Sequence, residues 1–251
     1  MIGIVGGVGP HAGVDLIKKV FDHTLAGSDQ EHVDALLFSL PSGIYDRTEY
    51  LLGKVEENPG IALAEILLRL EKAGAKVAGI PCNTAHAAPI YELILEKLRE
   101  TGSGIQLLHM INETLAYMET LLPGVKQVGV LSTTGTYRAG IYRKALSANG
   151  YEPVLPPAEM QEKLIHPAIY DPEYGIKSLP DRIQPRALEN LDRGFAWLKA
   201  QGAEAVILGC TEIPLAFPDA TIRGMLSIDP TVALARALLR ECFPDKLKPL
   251  K

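Results

Sequence analysis

The chain has 251 residues, 47% of them apolar, and 25 Lys and Arg against 30 Asp and Glu give a net charge of −5. That length suits two domains of about 100–150 residues each, and the mild acidity argues against a nucleic-acid or anionic-membrane surface. No apolar run approaches the roughly 18 residues that cross a bilayer, no export signal opens the chain, and three widely spaced cysteines make no disulfide framework, so reduced thiols in the cytoplasm are expected.

Residues 2–5 read as a strand, followed by the turn Gly6-Gly7-Val8-Gly9-Pro10 and a helix with Ala12, Leu16 and Val20 on one face. Pro10 suits a first helical position, where its missing N–H is not needed. Gly7 to Ala12 fits the relaxed dinucleotide pattern G-x-G-x-x-A. The second strand, 35–40, ends in Pro41-Ser42 without the acid that a ribose needs, so a nicotinamide cofactor is the weaker reading. Glycine-freed N–H groups holding a carboxylate fit better. The loop 42–49 carries Arg47, which can fork onto a carboxylate or lie solvated beside Asp46 or Glu49. A helix is expected over 58–73.

An apolar strand at 77–80 then runs into Pro81-Cys82-Asn83-Thr84-Ala85-His86, a tight turn and a helix over 91–99. A strand at 105–108, a hinge near 109–113 and a helix over 112–122 lead to the breaker Pro123-Gly124. A strand at 127–131 is followed by Ser132-Thr133-Thr134-Gly135-Thr136, whose hydroxyls suit an oxyanion or cap a helix. After a helix over 140–148, residues 153–180 read as a long irregular loop rich in Pro, Tyr and acids. Lys177 in that loop is either a second cation for a substrate or merely solvated. A helix over 185–201, a second cysteine strand ending in Gly209-Cys210-Thr211-Glu212, a strand at 222–228 and a helix over 230–242 complete the chain. Cys242 reads as a small core residue. The predicted domains are 1–112 plus 228–251, carrying Cys82, and 113–227, carrying Cys210.

The halves echo each other. Gly74-Ala75 precede Cys82 as Gly202-Ala203 precede Cys210: 210 − 82 and 202 − 74 both give 128. The glycine turn from Gly3 and the hydroxyl turn from Gly129 repeat at 129 − 3 = 126. Self-similarity of this kind fixes an architecture. It offers a thiol from each half to opposite faces of one bound molecule. Racemisation at carbon needs that pair, one group removing a proton while the other returns one. A positioned proton-transfer group contributes roughly 10²–10⁴ in rate, and charge developing on a carboxylate is stabilised as in an oxyanion hole. The bland reading is two buried structural cysteines; a Cys-His zinc site fits the spacing poorly, and a redox disulfide would not need the polar turns. His86, four residues past Cys82, either polarises the thiol or satisfies a backbone carbonyl.

Gly6-Gly7-Val8-Gly9-Pro10, Asp46-Arg47-Thr48, Pro81-Cys82-Asn83-Thr84-Ala85-His86, Ser132-Thr133-Thr134-Gly135-Thr136 and Gly209-Cys210-Thr211-Glu212-Ile213 together resemble the cofactor-independent aspartate racemases of the aspartate/glutamate racemase superfamily. The resemblance implies two similar Rossmann-like α/β domains, each a mostly parallel sheet flanked by helices, related by pseudo-two-fold symmetry with the active site between them. It implies Cys82 and Cys210 as the acid/base pair, with Asn83, Thr84, Thr133, Thr136 and Thr211 holding the α-carboxylate. Arg47, with Thr48 beside it, is implied to hold the side-chain carboxylate, and the family's loop lysine maps onto Lys177. The expectation is interconversion of L- and D-aspartate by a homodimer without cofactor or metal. The partner is an acidic amino acid, with no nucleic acid and no membrane. Glutamate racemisation, isomerisation of another small dicarboxylate and a catalytically silent amino-acid binder are the alternatives.

Overall fold

The computed structural model describes residues 1–250, which divide into two compact units: Met1–Glu113 with the chain from Thr231 onward, and Thr114–Pro230. The first unit contains β1 (Ile2–Gly6), α1 (Pro10–Asp22), β2 (Ala35–Ser39), α2 (Arg47–Leu51), α3 (Gly60–Lys72), β3 (Val77–Gly79), α4 (Ala88–Glu100), β4 (Gln106–Leu107) and the start of α5 (Met110–Leu121). The second contains β5 (Gln127–Ser132), α6 (Thr134–Ala139), α7 (Ile141–Ala148), β6 (Glu152–Val154), α8 (Ala158–Met160), a π-helical turn over Gln161–Ile165, α9 (His166–Tyr170), α10 (Pro185–Ala200), β7 (Ala205–Gly209), α11 (Ile213–Ala216), β8 (Thr221–Ile222) and β9 (Met225–Ile228). Helix α12 (Pro230–Cys242) returns the chain to the first unit, where Leu234 and Leu238 pack with Ile2, Ile4 and Leu16.

The first sheet runs β2-β1-β3-β4, all parallel. The second runs β6-β5-β7-β9-β8, parallel except for the β8–β9 pair. Each sheet therefore begins in the order second, first, third strand of its unit. The central strands β1 and β7 are buried throughout, as expected where helices cover both faces of a parallel sheet. Helices α3 and α10 supply much of that cover, through Leu63, Ile66, Leu67 and Leu70 in one unit and Ala187, Leu191, Phe195 and Leu198 in the other.

This order fixes where a site can form. Strand order reverses at the first strand of each unit, and ligands of open α/β sheets collect at the carboxyl edge where it does so. The turns after the first and third strands meet there. In the first unit these are the glycine turn and the Cys82 turn; in the second, the hydroxyl turn and the Cys210 turn. The glycine turn needs its residue type: Gly7 has φ of +87°, and a Cβ on it would stand 2.8 Å from the Pro41 nitrogen.

Two local expectations are corrected. Residues 158–170, read as loop, are helical throughout. Six scattered prolines between 153 and 180 hide a breaker-free run, 158–166, that puts Met160, Leu164 and Ile165 against the core. Pro167 falls in the opening turn of α9, where its missing N–H costs little. The single strand read at 222–228 is a hairpin, folded at Arg223 and Gly224 with φ of 50° and 72°. A bidentate Arg223–Asp192 pair at 2.7 and 2.5 Å accompanies this strained, non-glycine left-handed residue. The tight turn and following helix expected at Cys82 are observed. Asn83–His86 is a 3₁₀ turn, and α4 follows it.

Candidate functional site

In the first unit the chain leaves β3 through Ile80-Pro81 and turns at Cys82, whose extended backbone opens the 3₁₀ turn. Cys82, Asn83, Thr84 and His86 are all buried. Helix α2 packs against this turn. Its first residue, Arg47, is only 7% exposed and donates from Nη1 to the Tyr45 carbonyl at 3.3 Å, so the reading as a solvated surface arginine is corrected. Asp46 instead caps the helix, accepting from the Glu49 N–H at 2.9 Å. Thr48 is buried beside Arg47. A buried guanidinium on the helix that touches the cysteine turn is a ready anchor for an anion.

His86 takes the plainer of its two expected roles. Its Nδ1 lies 2.9 Å from the carbonyl oxygen of Cys82, and the ring stacks on Tyr91 and meets His109 edge-on, with centroids 5.3 and 4.8 Å away. Burial, then the neighbouring His109, hold its pKa down to about 3, against opposing pulls from the Cys82 and Leu108 carbonyls. The ring is therefore neutral, with Nδ1–H donating to the carbonyl. The unfolded chain takes up this proton near 6.5 and the folded chain near 3. Between those values the unfolded state binds more protons, so stability is full above pH 6.5 and falls as pH drops toward 3, by an amount on the order of 4 kcal/mol. Urea titrations at pH 7 and pH 4.5 should show a clearly smaller acid loss in His86→Gln than in the unsubstituted protein. Equal losses would remove His86 as the cause.

In the second unit Thr133 caps α6. Its Oγ1 accepts from the Thr136 N–H at 3.3 Å and lies 3.2 Å from the Thr136 hydroxyl. Ser132, Thr133, Thr134 and Thr136 are all buried, an unusual density of hydroxyls for a strand end. Beside this turn β7 ends at Gly209. A Cβ there would stand 2.9 Å from Ser132 Cβ, so glycine is what lets the hydroxyl turn and the Cys210 turn approach.

Cys210 follows at once and is buried. Its Sγ donates to Glu212 Oε2 at 3.0 Å, and the Thr211 hydroxyl donates to the same oxygen at 3.2 Å. The other carboxylate oxygen, Oε1, receives Lys177 Nζ at 2.5 Å. Lys177 is thus not solvated, with its side chain 18% exposed and that of Glu212 only 3%. The chain brings it there by folding 171–177 back on α9. The N–H groups of Gly175, Ile176 and Lys177 donate to the carbonyls of Asp171, Ala168 and Ile169, and a Cβ on Gly175 would lie 2.6 Å from the Asp171 backbone. Lys177 Nζ also lies 5.7 Å from the centroid of the Tyr170 ring.

The charges act together. Burial raises the Glu212 pKa, but the charge and hydrogen bond of Lys177 outweigh it and hold the carboxyl below its usual range. Burial, then the Glu212 carboxylate, push the Cys210 thiol well above its ordinary value. Cys210 is therefore a protonated thiol donating to a carboxylate. That is the form of a proton donor.

Structure thus gathers the sequence-derived residues in two sets: Arg47, Thr48, Cys82, Asn83 and Thr84 in the first unit, and Thr133, Thr136, Lys177, Cys210 and Thr211 in the second. It adds Glu212, and from the helical segment Gln161, His166 and Tyr170, none of which carried a role in the sequence. His166 Nδ1 lies 3.5 Å from the Thr134 N–H, and its ring stacks on Tyr170 at 4.8 Å. Among the described residues no group of three or more His, Cys, Asp or Glu is placed to hold a metal, and no helix is long and apolar enough to cross a membrane.

Residues 5–238 match the model of the Asp/Glu/hydantoin racemases, and the chain belongs to that family. Among individual relatives, the Bacillus subtilis broad specificity amino-acid racemase RacX is 32% identical over 61% of this chain and 63% of its own length. A Pseudomonas aeruginosa glutamate racemase is 32% identical over 68% of this chain and 59% of its own. The matches thus span less than two thirds of these curated relatives. The solved structure of the Picrophilus torridus aspartate racemase is similar over 96% of this chain and 93% of that one, with a TM-score of 0.77 and 29% identity.

Proposed function

We propose that the chain is an amino-acid racemase that interconverts the L and D forms of aspartate, or of a close acidic amino acid, by two-base proton transfer without a cofactor. The observation that carries this reading is one cysteine after the third strand of each unit, in two sheets that share the order second, first, third. Each is followed by amide or hydroxyl side chains. Cys82 and Cys210 exchange protons with the α-carbon, one removing while the other returns. The thiol held by Glu212 makes Cys210 the acid of the resting enzyme, and proton transfer in the reverse direction exchanges the roles.

Asn83, Thr84, Thr133, Thr136 and Thr211 take the α-carboxylate, where negative charge builds as the proton leaves. Arg47 and Lys177 take the distal carboxylate, with Thr48 supporting Arg47. Assembly as a homodimer in the cytoplasm rests on the family resemblance.

One observation favours a second reading with a broader substrate range. Lys177 is already neutralised by Glu212, so a distal carboxylate must compete for it. A polarimetric or chiral-chromatography screen of acidic and neutral amino acids separates the two. Aspartate turned over at least tenfold faster than neutral amino acids supports the acidic reading. Comparable rates across neutral side chains support the broad one, and no turnover of any amino acid rejects both.

A further inference from the structure

Gln161 opens the π-helical turn and is buried, with 1% of its surface exposed. Its side-chain amide lies against the hydroxyl turn. Nε2 donates to the Ser132 carbonyl at 3.0 Å and lies 3.5 Å from the Thr134 hydroxyl. Oε1 is buried and has no hydrogen-bond partner among the described residues. Leaving a buried amide oxygen unmet is costly, and natural folds rarely tolerate it where an apolar side chain of the same shape would serve. The π turn is similarly rare and gathers at functional positions. Two unfavourable local features coincide where one amide N–H₂ grips one strand end.

We infer that Gln161 is a positioning residue for the carboxylate-holding turn. Its grip on the Ser132 carbonyl fixes the peptide that leads into Thr133, and so sets the direction of the Thr133 and Thr136 hydroxyls. This rests on the racemase reading of that turn. A turn held in place need not reorganise as charge grows on the substrate carboxylate, which is where preorganised donors act. The effect therefore falls on turnover more than on ground-state binding.

Gln161→Met keeps the side-chain length while removing the donor and the unmet oxygen together. Loss of the donor removes one hydrogen bond from the Ser132 carbonyl, and loss of the oxygen relieves a buried unmet group, so thermal stability changes little. Removing an oxyanion donor outright costs about 10²–10³ in kcat; loosening one costs about tenfold. The expected result is a kcat about tenfold lower, with KM within twofold and the melting temperature within about 3 °C of the unsubstituted protein.

A double variant with Thr133→Val adds the decisive readout. If Gln161 acts through Thr133, the pair loses no more than Thr133→Val alone. Unchanged kcat in Gln161→Met, losses that multiply in the double variant, or a kcat that falls only as far as the folded fraction overturns the inference. Absence of turnover in the unsubstituted protein overturns it along with the racemase reading. Turnover without a Gln161 effect overturns the inference alone.

Discussion

Under the proposed two-base mechanism, Cys210→Ala is expected to lower the racemisation rate about 10³-fold, and Cys82→Ala to do the same. In the proposed two-base reaction neither thiol could substitute for the other, because each would address one face of the α-carbon. With Cys210 gone, the acid held by Glu212 is lost and the carbanion has no donor on that side. With Cys82 gone, the opposite face is silent. Both side chains are small and buried at turns, so truncation to alanine removes one sulfur's packing and leaves a cavity too small to unfold the protein. The melting temperature of each variant is expected within a few degrees of the parent. The assay is kcat in both directions, L to D and D to L, beside thermal denaturation. Full activity in either variant removes that cysteine from the chemistry.

The second large effect is on stability. Lys177→Met leaves the Glu212 carboxylate buried without its cation. Removing one partner of a buried pair costs about 3–5 kcal/mol, and the 18% exposure of the Lys177 side chain puts the expectation at the lower end. For a chain of this size that is a fall of roughly 10 °C in melting temperature. Glu212→Gln keeps hydrogen-bonding capacity without the charge, and combining it with Lys177→Met recovers part of the loss because no unpaired charge remains. The thiol supplies an independent readout. Glu212 raises the Cys210 pKa and Lys177 lowers it, so Glu212→Gln speeds alkylation of Cys210 and Lys177→Met slows it. A double variant as unstable as the sum of the singles contradicts the pairing.

The parallel sheets were legible because β1, β3, β5 and β7 are short apolar runs closed by glycine, proline or hydroxyl clusters. The repeat was legible because Gly-Ala precedes each cysteine strand by the same distance. Segment 158–170 was not, since the prolines around it speak for loop while only burial of Met160, Leu164 and Ile165 speaks for helix. The Lys177–Glu212 bond joins residues 35 apart in sequence, and no periodicity announces a contact made by a chain folding back through Gly175. Gln161 left no trace for a different reason. A glutamine in a polar helical run looks exposed until the hydroxyl turn is packed against it.

Labelling in deuterated water tests the proposed two-base chemistry most directly. L-aspartate is incubated to less than a tenth of full conversion, and the α-position of each enantiomer is read by mass spectrometry or proton NMR. Two-base transfer places solvent deuterium in the newly formed D-aspartate and leaves the remaining L-aspartate protiated. Deuterium appearing equally in both enantiomers at that stage, or no exchange at the α-carbon, contradicts it.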